Sequence, residues 1–183
     1  MVKNNGHRVA LTLVEAKELA IKLRREGKKI VLTQGSWDMI HVGHARYLAE
    51  AKKHGDVLLV GTDSDEKIRY RKGKGRPVVP EDERLEMLTY LGSVDYVVLK
   101  QLEALKYSLI KAVKPDVLVV IKQNYSDEKL KEIRKYCKKV KVLPRMAMTS
   151  TSAKLRRVQI GQAKKIESKL LKAIEGVLEE FRN

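Results

Sequence analysis

Short runs of β-branched and aliphatic residues alternate along the chain with longer stretches in which apolar residues recur every three or four positions. The short runs predict five β-strands, at 29–33, 57–61, 96–99, 117–121 and 140–143. Each run is largely apolar, as expected of strands that are buried on both faces of a sheet. This alternation of strands and helices is typical of a parallel sheet built from βαβ units.

The longer amphipathic stretches predict four helices between the strands, at 45–53, 81–91, 102–113 and 127–137. Two of them have recognisable starts, because Pro80 is followed by acidic residues and Ser126 offers a capping hydroxyl. Two further amphipathic helices are predicted at 11–25 and 160–181. We therefore expect an α/β fold, a Rossmann-like five-stranded parallel sheet with helices on both faces, plus N-terminal and C-terminal amphipathic helices.

A length of 183 residues with 43% hydrophobic content suits one globular domain with an appended element. The pattern predicts an N-terminal helical extension at 1–27, a central domain at 28–158 and a C-terminal amphipathic helix at 159–183. The last helix is longer than the cover of a core requires. Packing on its own domain and a contact within a homodimer both remain open, and we expect a homodimer.

The formal net charge of +16 points to an anionic partner, namely nucleic acid, a membrane surface or a polyphosphate substrate. Many of the cations alternate with acidic residues, which is typical of solvated helix faces. Cys137, the single cysteine, agrees with a reducing compartment and is interpreted as a packing residue. Because the sequence shows neither a membrane-spanning run nor a signal peptide, we expect a cytoplasmic protein without a membrane partner.

The segment that follows the first predicted strand carries the clearest chemistry. It reads GSWDMIHVGH at 35–44, so a glycine ends the strand and two histidines stand three residues apart at the start of a helix. In a parallel sheet this connection lies at the carboxyl edge, where ligands bind, and the helix N-terminus favours anions. Gly35 would allow backbone to approach a phosphate, and His41 and His44 would project from one side of the first turn.

Two other interpretations of this segment are weaker. Zinc needs three or four ligands, and His7 and His54 lie at no ligand-like spacing from the histidine pair. A nucleic-acid-binding module would explain the charge, but one Trp and one Phe in the whole chain supply few stacking platforms. A basic glycine-containing loop at 71–77 instead favours a phosphate ligand and is expected to close over it.

The segment 35–44 resembles the G-[TSC]-F-D-x-x-H-x-G-H motif of the cytidylyltransferase-like nucleotidylyltransferases, with Trp37 in place of the usual phenylalanine. The likeness to the adenylyltransferase domain of ADP-heptose synthases extends over about 11–155. It includes Tyr47-Leu48, 55–61, Ser64-Asp65, Lys72-Gly73, 76–78, Glu83-Arg84 and 94–98. The resemblance implies that 28–158 is a nucleotidylyltransferase domain.

Such an enzyme transfers a nucleoside monophosphate from a nucleoside triphosphate to a phosphorylated small molecule and releases pyrophosphate. The resemblance implies catalytic roles for His41, His44, Lys72 and Arg145. It implies nucleotide binding by Gly35, Ser36, Trp37, Asp38, Gly43, Lys74, Asn124, Ser150, Thr151 and Ser152. Arg84 is expected to bind the acceptor phosphate, and Mg²⁺ is expected to arrive with the triphosphate rather than in a protein-only metal site.

The resemblance favours transfer of CMP from CTP to a sugar, polyol or alcohol phosphate, with an ADP-heptose-synthase-like adenylyltransferase as the alternative, and it leaves the acceptor unnamed. Arg145, with the hydroxyl residues 149–152, resembles the cytidylyltransferases of glycerol 3-phosphate and phosphoethanolamine and therefore favours CTP, whereas the N-terminal half resembles an adenylyltransferase and favours ATP. The segment VIKQNY at 120–125 stands where these families have V-x-G-[GH]-D-[YW]. An acceptor that differs from those of the named relatives, and a non-catalytic nucleotide binder, remain alternatives. Asp38 is interpreted either as a partner of a loop or cation at the site or as a helix cap.

Overall fold

The computed structural model describes residues 10–122, 125–144 and 146, together with 158, 160–162, 165–171 and 174. Six strands form one sheet, and every pairing is parallel. The strands are β1 (Ala10–Leu11), β2 (Ile30–Gly35), β3 (Val57–Asp63), β4 (Tyr96–Lys100), β5 (Val117–Ile121) and β6 (Lys139–Leu143). Their order across the sheet is β1-β4-β3-β2-β5-β6.

The five predicted strands and the parallel α/β architecture are confirmed, but the predicted strand number is wrong by one. The additional strand, β1, has two residues and pairs with β4 through Ala10 and Leu11. So short an edge strand produces no alternating pattern in the sequence. It also joins the segment predicted as an N-terminal extension to the sheet itself.

The helices between the strands are α1 (Leu13–Arg25), α2 (Val42–Lys52), α3 (Asp65–Lys72), α4 (Glu81–Thr89), α5 (Ser108–Val113) and α6 (Asp127–Ile133). A 3-10 turn at Arg134–Tyr136 continues α6. The predicted helix at 102–113 is confirmed only in its second half, because Tyr107 takes a left-handed conformation (φ 61°) immediately before α5. The helix α3 was not predicted, since Ile68 is its one buried residue and gives no periodicity.

Alternate residues of the strands point into two separate apolar cores. On one face, Ile30, Leu32 and Leu59 pack with side chains of α1, α5 and α6. On the other face, Val31 and Leu58 pack with side chains of α2 and α4. Burial on both faces explains why the strands read as continuous apolar runs.

Contacts divide the chain into two units, Met1–Ala147 and Met148–Asn183. The first contains the sheet and all the helices named above. In the second, the described residues between 158 and 174 are helical, as predicted, and its apolar side chains Val158, Ile160, Ile166, Leu170, Leu171 and Ile174 are exposed. Among the described residues, no helix combines the length and the apolar character needed to cross a bilayer.

Candidate active site

The order of the strands places the turn after β2 at the point where ligands enter such sheets. β3 lies on one side of β2 and β5 on the other, so the direction in which strands are added reverses between β2 and β5. Open parallel sheets bind ligands at the carboxyl ends of the strands at this reversal. The turn at 36–41 leaves β2 there and leads into α2.

The turn is held in an unusual backbone conformation by Trp37. Trp37 and Met39 have φ values of 52° and 51°, in the left-handed region that costs a side-chain-bearing residue about 1–2 kcal/mol. The Trp37 indole is buried, and its Nε1 donates to the carbonyl oxygen of Gly61 at 2.9 Å. A phenylalanine at this position could not donate that hydrogen bond.

Gly35 has a packing role that its sequence position alone does not reveal. A Cβ atom at this residue would lie 2.9 Å from the Trp37 ring, closer than side-chain carbons approach. Glycine is therefore required here because the indole folds back over the end of β2. Its neighbour Ser36 uses its carbonyl oxygen to accept from Arg84 at 2.6 Å.

The structure brings His41 and His44 together at the start of α2. His41 caps the helix, and its Nδ1 accepts from the backbone N–H of Gly43 at 3.1 Å. The two imidazoles stack with their centroids 4.1 Å apart, and the Trp37 ring meets His44 edge-on at 5.6 Å. Gly43 is buried, whereas both histidines remain partly exposed.

Tyr47 anchors this histidine pair to the sheet. Tyr47 lies one helical turn after His44. The Tyr47 hydroxyl lies 2.8 Å from Thr33 Oγ1 and donates to the Val119 carbonyl oxygen at 3.1 Å. These contacts connect α2 to both β2 and β5, the two strands that flank the reversal. Burial raises the pKa of the Tyr47 phenol far above its ordinary range, so this residue acts as a neutral hydrogen-bonding anchor.

The carboxylate of Asp38 ties the turn to the basic loop. It is buried and accepts from the backbone N–H groups of Val78 at 3.0 Å and Val79 at 3.1 Å. Arg76 Nε lies 3.0 Å from the same carboxylate, as an ion pair rather than a well-aligned hydrogen bond. Of the two interpretations drawn from the sequence, the structure therefore favours a partner of the loop over a helix cap.

Lys72 and Lys74 lie where α3 gives way to this loop. Lys72 is the last residue of α3, and Lys74 is an exposed residue between Gly73 and Gly75. Although part of the Lys72 side chain reaches solvent, neighbouring atoms desolvate its ammonium group and lower its pKa. The positive charges of Arg76 and Arg71 lower that pKa further, while Asp38 and Asp63 oppose them. An anion bound here would relieve this repulsion.

Arg84 does not reach the open edge of the site. Its side chain is 1% exposed, and its guanidinium donates to the carbonyl oxygens of Val79, Ser36 and Asp63. It also donates to Thr62 Oγ1 at 2.9 Å and forms an ion pair with Asp65 at 2.7 Å. Since five protein acceptors surround this cation, the geometry indicates a structural role and does not support the expected contact with the acceptor.

Sequence reasoning missed a second charged cluster at the carboxyl edge. Asp63, the last residue of β3, is 2% exposed and pairs with Lys100 Nζ at 2.9 Å and Arg71 Nη1 at 2.8 Å. Lys100 is the last residue of β4 and the register partner of Asp63. The signal that could have identified Asp63 is an acidic residue immediately after a largely apolar run, in a strand that is buried along its whole length.

Several predicted site residues lie outside the described residues. They are Arg145, Asn124, Ser150, Thr151 and Ser152. Within the described parts of the chain, no group of three or more histidine, cysteine, aspartate or glutamate side chains could hold a metal ion. The described part of the site therefore consists of the turn 36–44, the end of α3 and the loop at 73–79.

An imidazole pair at the start of a helix, set at the reversal of a parallel sheet and linked to a basic loop, is the architecture of a nucleotide-binding α/β enzyme. The chain belongs to the cytidylyltransferase-like family, whose sequence model matches residues 32–171. It is a nucleotidyltransferase.

Curated relatives support this membership. The chain is 43% identical over 135 residues to the bifunctional protein HldE of Aliarcobacter butzleri, a match that covers 69% of this chain and 28% of that protein. It is 40% identical over 144 residues to the HldE of Wolinella succinogenes, covering 78% of this chain and 29% of that protein. The chain thus spans less than a third of the length of these relatives.

Two solved structures share the fold. A lipopolysaccharide core biosynthesis protein from Thermoplasma volcanium superposes with a TM-score of 0.54 and 32% identity, over 64% of this chain and 96% of that one. A pantoate-beta-alanine ligase from Francisella tularensis superposes with a TM-score of 0.57 over 80% of this chain and 69% of that one. At 15% identity the second likeness concerns the fold alone.

Proposed function

We propose that this nucleotidyltransferase transfers AMP from ATP to the phosphate of a sugar phosphate and releases pyrophosphate. The observation that carries the proposal is the His41–His44 pair at the sheet reversal, in a chain 40–43% identical to HldE proteins of two organisms. The sequence at about 11–155 also resembles the adenylyltransferase domain of ADP-heptose synthases. In the step proposed, an acceptor phosphate oxygen bonds to the α-phosphorus while the bond to the bridging oxygen of the leaving pyrophosphate breaks.

The residues at the turn are suited to stabilising the charge that moves onto pyrophosphate. Because Nδ1 of His41 accepts from Gly43, the neutral imidazole carries its proton on Nε2, which makes Nε2 a donor. In the proposed complex His41 and His44 donate to phosphate oxygens, and Gly43 contributes the N-terminal end of α2. Such preorganised donors need little rearrangement during the reaction.

The loop supplies the remaining positive charge. We assign Lys72 and Lys74 to the β- and γ-phosphates, since an anion there would offset the desolvation of the Lys72 ammonium and its repulsion by Arg76 and Arg71. Asp38 holds the loop against the turn through Val78 and Val79 and so acts as a positioning residue. The nucleotide-binding roles that the sequence implies for Arg145 and the hydroxyl residues 150–152, which lie outside the described residues, stay predictions.

Mg²⁺ would bind mainly through the triphosphate in this arrangement. Asp38 and Asp63, the buried carboxylates of the region, already pair with cations of the protein. Mg²⁺ commonly retains several waters and is held by substrate phosphates with one or two protein ligands at most. It would neutralise triphosphate charge, while the protein residues position the reacting groups.

CMP transfer from CTP is the second candidate function, supported by the family to which the chain belongs and by Arg145 in the sequence. The test is pyrophosphate release from ATP and from CTP, each with a sugar 1-phosphate, glycerol 3-phosphate, phosphoethanolamine or flavin mononucleotide. We expect ATP with a sugar phosphate to give the highest kcat/KM. Turnover that requires CTP would reject AMP transfer, and no pyrophosphate from any combination would reject the proposed acceptor classes.

The role of the histidine pair is tested by His44→Ala. Removing one preorganised donor costs about 3 kcal/mol of transition-state stabilisation, so kcat should fall by about two decades. His54→Ala is the matched control, because His54 follows the opposite end of α2 and should leave kcat within about twofold of the wild type. Wild-type turnover in His44→Ala would contradict the assignment.

A further inference from the structure

We propose that Arg71, oriented by Asp63, binds the phosphate of the acceptor substrate; this inference rests on the proposed function and names residues of the same site. Arg84, the residue expected to bind the phosphate of the acceptor substrate, instead donates to five oxygen atoms of the protein. A different cation is therefore needed to bind that phosphate. Among the ion pairs of the described residues, Asp63 is the one buried carboxylate with two cationic partners, Arg71 and Lys100.

The location of the cluster suits a second substrate. Asp63 and Lys100 end β3 and β4, so they lie at the same edge of the sheet as the turn after β2. Arg71 immediately precedes Lys72, which we assign to the triphosphate. Because Arg71 and Lys72 are the last two residues of α3, the cluster adjoins the loop that begins at Gly73.

The charge of the cluster favours an anion. Two cations share one carboxylate, so the three residues retain one net positive charge. Lys67, one helical turn before Arg71, has a pKa lowered by burial and then by the charge of Lys100, although Asp63 and Glu103 oppose this effect. Positive charges therefore crowd on this side of α3, and a phosphate dianion would stabilise them.

The side chains of the three residues in the cluster differ in exposure, and these differences indicate different roles. The carboxylate of Asp63 is 2% exposed and Lys100 is 15% exposed, so both are fixed within the protein. The Arg71 side chain is 56% exposed, and its guanidinium therefore reaches the solvent while Asp63 holds Nη1. A guanidinium oriented in this way presents the planar geometry that suits bidentate binding of a phosphate.

The phenol of Tyr125 interacts electrostatically with this cluster. Tyr125 follows β5, and its phenol is largely buried, so that burial raises its pKa to about 12. The charges of Asp63 and Arg71 also act on this hydroxyl.

The experiment measures phosphate binding separately from turnover. Inorganic phosphate is titrated into the full chain saturated with α,β-methylene-ATP, and NMR follows the Nε–H signal of Arg71 and the imidazoles of His41 and His44. We expect phosphate to shift the Arg71 signal, and Arg71→Gln to weaken phosphate binding about tenfold or more. Arg69→Gln, an equal loss of charge from an exposed position of the same helix, should stay within about twofold.

The possible outcomes separate the two proposals. Equal phosphate affinities in Arg71→Gln and Arg69→Gln would overturn the assignment of Arg71 to the acceptor phosphate, whether or not the nucleotide analogue shifts the histidine signals. A nucleotide analogue that fails to shift the histidine signals would instead contradict the proposed function, while the phosphate result would still decide the role of Arg71. In the active enzyme, Arg71→Gln should raise the acceptor KM about tenfold and leave the nucleotide KM within about twofold.

Discussion

Replacing Arg84 by methionine tests whether this arginine maintains the architecture of the site or binds substrate. Methionine has a similar length but donates no hydrogen bonds. The substitution would leave the Asp65 carboxylate without its 2.7 Å partner, and the carbonyl oxygens of Ser36 and Asp63 would lose a common donor. Every one of these groups lies between the turn after β2 and the start of α3.

The expected cost follows from the burial of this ion pair. Removing one partner of a buried ion pair typically costs about 3–5 kcal/mol, because the remaining charge is left uncompensated. The unit Met1–Ala147 should have an unfolding entropy of about 0.3 kcal/mol/K, at roughly 2.1 cal/mol/K per residue. Dividing the first quantity by the second predicts a decrease in Tm of roughly 10–16 °C.

The measurement is differential scanning calorimetry of Arg84→Met beside a control, Arg69→Met. Arg69 lies 4.0 Å from the same Asp65 carboxylate but is 53% exposed, so its loss should change the Tm by no more than about 2 °C. If Arg84→Met melts within 3 °C of the control, the structural role assigned to Arg84 is wrong. A raised acceptor KM in that stable variant would instead restore the role expected from the sequence.

Two further predictions concern Trp37 and His54. Trp37→Phe should lower the free energy of unfolding by about 1–2 kcal/mol, because the Gly61 carbonyl loses its indole donor, and an unchanged urea midpoint would contradict this. His54 has a pKa lowered below 6.5, first by burial and then by Lys141. The unfolded chain therefore takes up this proton first, so stability should decrease as the pH falls below about 6.5. The difference in stability between pH 7 and pH 5 should be smaller in His54→Gln, and equal differences would refute this.

Much of the fold could be predicted because burial of an element restricts the residue types along that stretch of the sequence. Strands covered on both faces must be apolar along their length, and all five predicted runs are strands of the sheet. The helix α4 was predicted from Pro80 and the acids that follow, which are local features of helix starts. β1 and α3 were missed because one has two residues and the other has one buried side chain.

The parallel α/β class, the turn with its histidine pair and, through its resemblance, the nucleotidyltransferase family could all be predicted from the chain, since each depends on residues that are close together along it. Which charges meet could be learned only from the folded arrangement. Arg84 pairs with Asp65, 19 residues away, and Asp63 pairs with Lys100, 37 residues away. The partner of a charged side chain depends on which strand ends are neighbours in the sheet, and the order of the strands cannot be deduced from residue types alone. Arg84 and Arg71 therefore cannot be distinguished by residue type in the sequence, although Arg84 is enclosed by the protein and the Arg71 guanidinium reaches solvent.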